Sequence, residues 1–389
     1  MVDSSPEPTT VALGDRLVMD PEQFDELIRA LNDHFDVRGP VVSSGAIVTG
    51  PLRRASDLPV GWHDEQAPGH YRASDRGDGE YFGFAVGPTS TKPEFFPPHQ
   101  VLWRSEGRGE LLRFVEPTLA TRDLALFGVR PCDVAALGIL ERVLVNGEYP
   151  DPHFASRRRG LFVVVVECAR PAGTCFCSSM GTGPGLEDGF DLAVTELHSP
   201  HRFLVRIGSE RGGREVQRSS WAHATDHDET ARDEVLDTAM SRIERRVDSE
   251  GVPTLLARNI DHPLWSDIAE RCLDCANCTM ACPTCFCSDV HDVTDLAGDT
   301  ERQRSWSSCF DINHSFLHGG PVRSSPSSRY RQWMTHKFST WWDQFDSSGC
   351  VGCGRCITWC PVGIDVTAEL AILRDSEQSD EDTAEVGRL

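Results

Sequence analysis

The sequence predicts an N-terminal domain of α+β or α/β class with a partly parallel sheet, followed by an α-helical domain built around cysteines. Three observations predict this. Two near-continuous apolar runs, 124–129 (LALFGV) and 161–166 (LFVVVV), flank a helical segment. Strands that apolar are buried on both faces, as in a βαβ unit of a parallel sheet. From about 254 to 366 the chain is cysteine-rich and shows no strand alternation. Within that stretch one cysteine pattern occurs twice. The 389 residues suffice for two or three domains.

Residues 1–19 read as a loose, disordered acidic leader. Asp20, Pro21 and Gln23 then start a helix, with Asp as N-cap, Pro at the first helical position and Gln closing a capping box. Phe24, Leu27, Ile28, Leu31 and Phe35 follow at helical spacing. A strand is expected over 41–49, then short strands and loops over 51–115, with 87–98 too proline-rich for a helix. After strand 124–129, Asp133 caps a helix that runs to Val145 and stops at Asn146-Gly147. Residues 190–197 and 201–207 form a hairpin through Ser199-Pro200. The polar stretch 208–233 marks a boundary, giving an α/β domain over 20–225 and a helical domain over 230–370. Val235, Leu236, Ala239, Met240, Ile243 and Val247 open the latter with an amphipathic helix. Residues 374–389 read as an acidic, disordered tail.

A net charge of −22 speaks against nucleic acid, because phosphate contact needs a basic field. No apolar run approaches the ~18–20 residues that span a bilayer. The N-terminus lacks the basic-then-apolar pattern of a secretory signal. The expectation is a cytoplasmic protein. Arginine occurs 36 times and lysine twice, at Lys92 and Lys337, which reads as codon bias.

The cysteines carry the chemistry. Their number is odd and no export signal is present, so a disulfide framework is not expected. Cys272-x2-Cys275-x2-Cys278-x3-Cys282-Pro283 recurs as Cys350-x2-Cys353-x2-Cys356-x3-Cys360-Pro361. This is the bacterial ferredoxin signature for [4Fe–4S] clusters. Three thiolates in one tight turn wrap three corners of an iron cube, and the fourth, displaced by the proline, reaches the other cluster. One cluster is therefore expected on Cys272, Cys275, Cys278 and Cys360, and a second on Cys350, Cys353, Cys356 and Cys282. Zinc would call for two well-separated Cys-x2-Cys knuckles instead. The 67 residues between Cys282 and Cys350 are too many for a compact ferredoxin and favour a helical one. Such a domain is similar to the α-helical ferredoxin domain of the succinate dehydrogenase iron–sulfur subunit.

Seven cysteines remain. The pentapeptide Thr174-Cys-Phe-Cys-Ser178 recurs as Thr284-Cys-Phe-Cys-Ser288. Cys132 lies just beyond strand 124–129, and Cys168, Cys175 and Cys177 follow strand 161–166. In a right-handed βαβ unit both strand ends share one sheet edge, where open α/β sheets bind ligands. Two readings stay open for these four: a third cluster or other metal, or buried inert thiols. Cys285, Cys287 and Cys309 lack a fourth partner and are assigned to packing around the clusters. The run Gly181–Gly185 contains Pro184 and reads as a loop, not a phosphate cradle. His223 and His227 read as a solvated stretch, and Trp333, Trp341 and Trp342 as packing or partner-contact residues.

Gly128-Val-Arg-Pro-Cys-Asp133, the Cys168 to Gly181 stretch, Phe190-Asp-Leu-Ala-Val-Thr195, Arg329-Tyr-Arg331, His336-Lys-Phe338 and Val351-Gly-Cys-Gly-Arg-Cys356 occur together with the paired motifs. The set resembles the dicluster electron-transfer subunits of cytoplasmic redox complexes. These are the beta-subunit family of NADP-linked [NiFe] hydrogenase (sulfhydrogenase) and the corresponding iron–sulfur subunit family of anaerobic sulfite reductase. The resemblance implies a relay between a flavoprotein subunit that handles NAD(P)H and either the hydrogenase small and large subunits or a sulfite reductase catalytic subunit. No flavin or nicotinamide motif is found, so hydride chemistry is expected on another chain. A reading of another class is an iron–sulfur assembly scaffold whose clusters are structural only.

Overall fold

In the computed structural model, residues 11–107, 109–119, 123–217 and 221–386 are described. The strands are, in chain order, β1 (Arg16–Met19), β2 (Asp36–Ser43), β3 (Ala46–Pro51), β4 (Trp62–Ala67), β5 (His70–Asp75), β6 (His99–Glu106), β7 (Arg113–Val115), β8 (Leu124–Val129), β9 (Leu161–Val166), β10 (Leu192–His198), β11 (His201–Ile207), β12 (Ala222–His223), β13 (Ser288–Thr294), β14 (Thr300–Trp306) and a short pair, β15 (Phe316–Leu317) and β16 (Gly320–Pro321). The largest sheet has the order β12-β1-β11-β10-β9-β8-β2-β3. Its centre is parallel, β2 with β8, β8 with β9 and β9 with β10. Its flanks are antiparallel.

β9 explains why its run is apolar without a break. Phe162, Val164 and Val166 enter one core, with Phe24, Leu27 and Ile28 of the helix Pro21–Leu31. Leu161, Val163 and Val165 enter the other, with Leu137 and Leu140 of the helix Pro131–Leu144. A period of two serves both faces. The capping box at Asp20 is formed as expected, with Gln23 Oε1 accepting from the Asp20 amide at 2.9 Å.

Several expectations need correction. Residues 1–10 lie outside the described residues, but the rest of the supposed leader is built in: Leu17 and Met19 of β1 are fully buried against β11. The strand expected over 41–49 is a hairpin, β2–β3, turning at Ser44-Gly45, both at positive φ. The proline-rich 87–98 accommodates one helical turn, Lys92–Phe95, with proline at its start. Asp133 is not the cap of its helix; Arg130 occupies that position and Pro131 is the first helical residue. The polar stretch 208–233 holds the helix Glu210–Val216 and the start of Asp226–Arg242, which is capped by Thr225. The acidic tail is helical as far as Val386, continuing a helix from Val366 that Leu370 and Leu373 anchor in the core; 387–389 lie outside the described residues.

The cysteine-rich region is not purely helical. β13 and β14 form a hairpin, and β14 pairs with β6, far upstream, in a second sheet β13-β14-β6-β7. The two expected domains are thus laced together. Around the cysteines a separate core gathers Trp265, Ile268, Phe310, Tyr330, Trp333, Met334 and Phe338. They come from the helices Leu264–Arg271 and Pro326–Thr335, the intervening loop and the π-helical turn His336–Thr340. No helix among the described residues is long and apolar enough to cross a membrane.

Candidate iron–sulfur centre

The two motifs fold alike. Cys272 caps the helix Leu264–Arg271, and the next loop reaches Cys278 in the turn Asn277–Met280. Asp274 and Ala276 are left-handed, at φ of 50° and 62°. Gly352 and Gly354 hold the equivalent places in the second loop, at 64° and 75°. Those two reversals curl each loop so that its cysteines face inward. Only the second loop requires glycine on space as well as φ. A Cβ on Gly352 would stand 2.7 Å from the Cys177 backbone, and one on Gly354 would stand 2.4 Å from the Thr174 carbonyl oxygen.

The thiols of the two motifs fall into two neighbouring groups. Those acting electrostatically on Cys278 are Cys272, Cys360 and Cys275, with Cys282 behind them. Those acting on Cys356 are Cys350, Cys353 and Cys282, with Cys278 behind them. Cys272, Cys275, Cys278 and Cys360 line a cavity walled by Phe310, Tyr330 and Ile364. Cys282, Cys350, Cys353 and Cys356 line another. Cys356, Trp333 and Val366 line both, so the cavities share a wall.

The donor set fits iron–sulfur clusters better than single ions. Among the described residues, the groups of three or more ligating atoms within 4.8 Å of one another are His63–Asp78–Glu80 and Glu196–His198–His201, neither with a cysteine. Thiolates on one zinc, at Zn–S ~2.3 Å, would sit about 4 Å apart. Wider sets suit a core whose corners bind one thiolate each. Backbone amides point at the sulfurs: Asp274 N at Cys272 (3.5 Å), Gly352 N at Cys350 (3.4 Å) and Ile364 N at Cys360 (3.3 Å). Such amides favour a thiolate charge and help set a cluster's potential.

Burial pushes the thiols of Cys272, Cys278, Cys353 and Cys356 up, and that of Cys350 up to about 12. An apolar pocket disfavours the thiolate until a cation compensates it, and metal binding supplies that cation. Cys282 goes the other way. A hydrogen bond with Cys285 and the nearby ammonium of Lys337 hold it well below the usual thiol range.

The two lysines are the residues that sequence reasoning missed. Both are buried, and both serve the Cys282 segment. Lys92 Nζ donates to the carbonyl oxygens of Cys282 and Cys285, each at 2.9 Å, and lies over the Trp306 ring at 3.9 Å. Lys337 Nζ, on the π-helical turn, donates to Cys282 Sγ at 3.3 Å and Thr284 Oγ1 at 2.9 Å. The available signal was their rarity: a chain that uses arginine elsewhere keeps lysine at two positions, where a compact point charge fits and a planar fork does not.

The Asp133 carboxylate pairs with Arg355, between Cys353 and Cys356, through two bonds of 2.7 and 2.9 Å, both side chains buried. This fork joins the second cysteine loop to the helix after β8. Cys132 lies in the first turn of that helix and packs with Cys177 and Cys353, and Cys168, Cys175 and Cys177 follow β9. Cys285 contacts Cys282, and Cys287 contacts Cys309 and His314, near Lys337. Trp333 and Trp341 are core residues; His223 and His227 are exposed.

This geometry describes an iron–sulfur protein, and comparison with known proteins agrees. Residues 271–364 match a family model described as a 4Fe-4S dicluster domain. The beta subunit of sulfhydrogenase 2 from Pyrococcus furiosus is 34% identical over 255 residues, covering 64% of this chain and 74% of that protein. The chain belongs to the family of 4Fe-4S electron-transfer subunits represented by that sulfhydrogenase beta subunit. No solved structure matches.

Proposed function

We propose that this chain carries electrons within a cytoplasmic, NADP-linked [NiFe] hydrogenase, between a flavoprotein subunit that handles NAD(P)H and the subunits that carry the catalytic metal centre. Two [4Fe–4S] clusters are held, one by Cys272, Cys275, Cys278 and Cys360, the other by Cys350, Cys353, Cys356 and Cys282. When bound, such clusters supply reversible one-electron oxidation and reduction. The observation that carries the reading is the exchange of fourth cysteines between two cavities that share Trp333 and Cys356. The chain's own residues keep the two sites adjacent, exclude water with an aromatic wall and supply buried positive charge at Cys282. Cys275 is exposed, with exposed Leu273 and Val362 beside it, which puts the first site close to a surface a partner can reach. The similarity to a sulfhydrogenase beta subunit favours the hydrogenase over a sulfite reductase.

The test is anaerobic purification of the chain with whatever accompanies it, followed by iron, sulfide and nickel analysis and EPR before and after dithionite. Reducible, magnetically interacting clusters copurifying with a nickel protein are expected. A sirohaem protein in place of nickel would assign the chain to the other complex. Clusters that dithionite cannot reduce would point to a scaffold.

A further inference from the structure

We propose that Cys132, Cys168, Cys175 and Cys177 hold a third cluster of the [4Fe–4S] type, at the sheet edge and beside the loop of Cys353. The reading of the chain as an electron relay bears on what this group does; whether it is present is a separate question of composition.

Topology supplies the first argument. β8 and β9 are parallel neighbours, so the segments leaving their C-terminal ends emerge on one edge. Cys132 and Cys168 are carried there by two different strands, and the loop from Cys168 returns Cys175 and Cys177 to the same place. Cys132, Cys175 and Cys177 are 6–7% exposed. Cys132 and Cys177 pack in one buried cluster with Cys353, and Cys168 and Cys175 lie within electrostatic reach of Cys177.

A second argument is a buried cation with no carboxylate in contact. Arg130, 4% exposed, donates to the carbonyl oxygens of Phe84 (2.5 Å) and Glu167 (3.5 Å) and stacks near the rings of Phe84 and Phe82. Among the described residues no carboxylate pairs with it, whereas its neighbour Arg355 is neutralised by Asp133. Its charge acts on Cys168 and on the buried Asp64, whose oxygens are turned to Gln66 and the Ala85 amide and make no contact pair with it. A buried charge left unpaired is expensive. Four thiolates around an iron–sulfur core are net negative and would add to the balance that Asp64 begins from a distance; four inert neutral thiols would not.

The place is also connected. The Phe176 amide donates to the Gly352 carbonyl at 2.8 Å, and Cys175 Sγ stands 3.8 Å from the Cys353 carbonyl oxygen. The glycines at 352 and 354 are what allow these two loops to touch. Loading the site from two ferrous ions, two ferric ions and four hydrosulfides forms one Fe–S bond per thiol and releases one proton from each thiol and one from each hydrosulfide, with no net oxidation or reduction.

Iron and acid-labile sulfide are counted on the full-length chain, prepared anaerobically, as wild type, as Cys175→Ser/Cys177→Ser and as Arg130→Met. About twelve irons are expected in the wild type, and about eight in the double variant with the EPR of the other two clusters retained. Arg130→Met should lower iron toward the same value. About eight irons in both the wild type and the double variant, or a single zinc in place of four irons, would overturn the third cluster and leave the dicluster reading standing. About four or fewer in the wild type would overturn both. If the double variant loses all its iron, the wild-type count alone decides.

Discussion

Lys337 donates from Nζ directly to the sulfur of Cys282, at 3.3 Å, from a side chain that is itself buried. A cation on a ligand sulfur stabilises the more negative, reduced state of that cluster. Charged hydrogen bonds contribute roughly 1.5–3 kcal/mol, of which only the difference between redox states counts. Lys337→Met should therefore lower the potential of the cluster on Cys350, Cys353, Cys356 and Cys282 by about 50–100 mV, at about 59 mV per tenfold for one electron. Lys92→Gln should shift it the same way by less, since Lys92 reaches carbonyls instead of sulfur. EPR-monitored redox titration reads both. An unchanged midpoint in Lys337→Met would refute the assignment.

The proposed crossed ligation predicts reciprocal losses. Cys360→Ser should perturb the cluster of the first motif and spare that of the second; Cys282→Ser should do the opposite. Iron counts and the EPR signals of the two variants separate the cases. Loss of each variant's own motif would mean that each motif keeps its own fourth cysteine.

The fork between Arg355 and Asp133 is a buried ion pair, and removing one partner strands the other. Asp133→Asn should cost about 3–5 kcal/mol of stability, while a paired Asp133→Leu/Arg355→Met replacement should recover much of it. Denaturant unfolding under anaerobic conditions measures both. Equal losses in the single and double variants would show that the pair is not the source.

Acid sensitivity should have a component at Glu167. Burial pushes this carboxylate up, but Arg232 and Arg206, with the Thr195 hydroxyl, more than reverse it and hold it below its usual range. The unfolded chain titrates this group near about 4.3. The stability it confers is present above that value and is lost as the pH falls through the lower folded-state one. Glu167→Gln should therefore be less stable than wild type by about 3–5 kcal/mol at neutral pH, with the gap closing below about pH 4. A gap that ignores pH would exclude this mechanism.

Glycine at 354 answers a contact, not only a dihedral angle. Gly354→Ala should lower iron incorporation at the second motif, whereas Ala276→Gly, at the matching place in the first, should leave iron content unchanged. Iron per chain decides; full loading of Gly354→Ala would show that the loops can part.

Much of the structure was legible because its cause is local. Asp20-Pro21-Gln23 makes its own cap, and β8 and β9 announce themselves by being apolar on both faces. The hairpin β13–β14 was illegible because SDVHDVT has no alternation; its partner is β6, whose pairing residues lie some 200 positions upstream. β1 was missed because four residues between polar neighbours give too short a signal, and β11 supplies the other half of the ladder.

What the sequence determined by itself is the chemistry of the cysteine loops. Three thiols in seven residues and a fourth before proline mark a 4Fe-4S dicluster domain, since the spacing is short enough to be read locally. What only the tertiary structure decided is the charge around those thiols. Lys92, Lys337, Arg130 and the Asp133–Arg355 fork are drawn from segments scattered along the chain, and none belongs to a motif that names its partner. Their meaning comes from burial, which makes each charge costly unless it faces an opposite one, and burial is a property of the packed molecule.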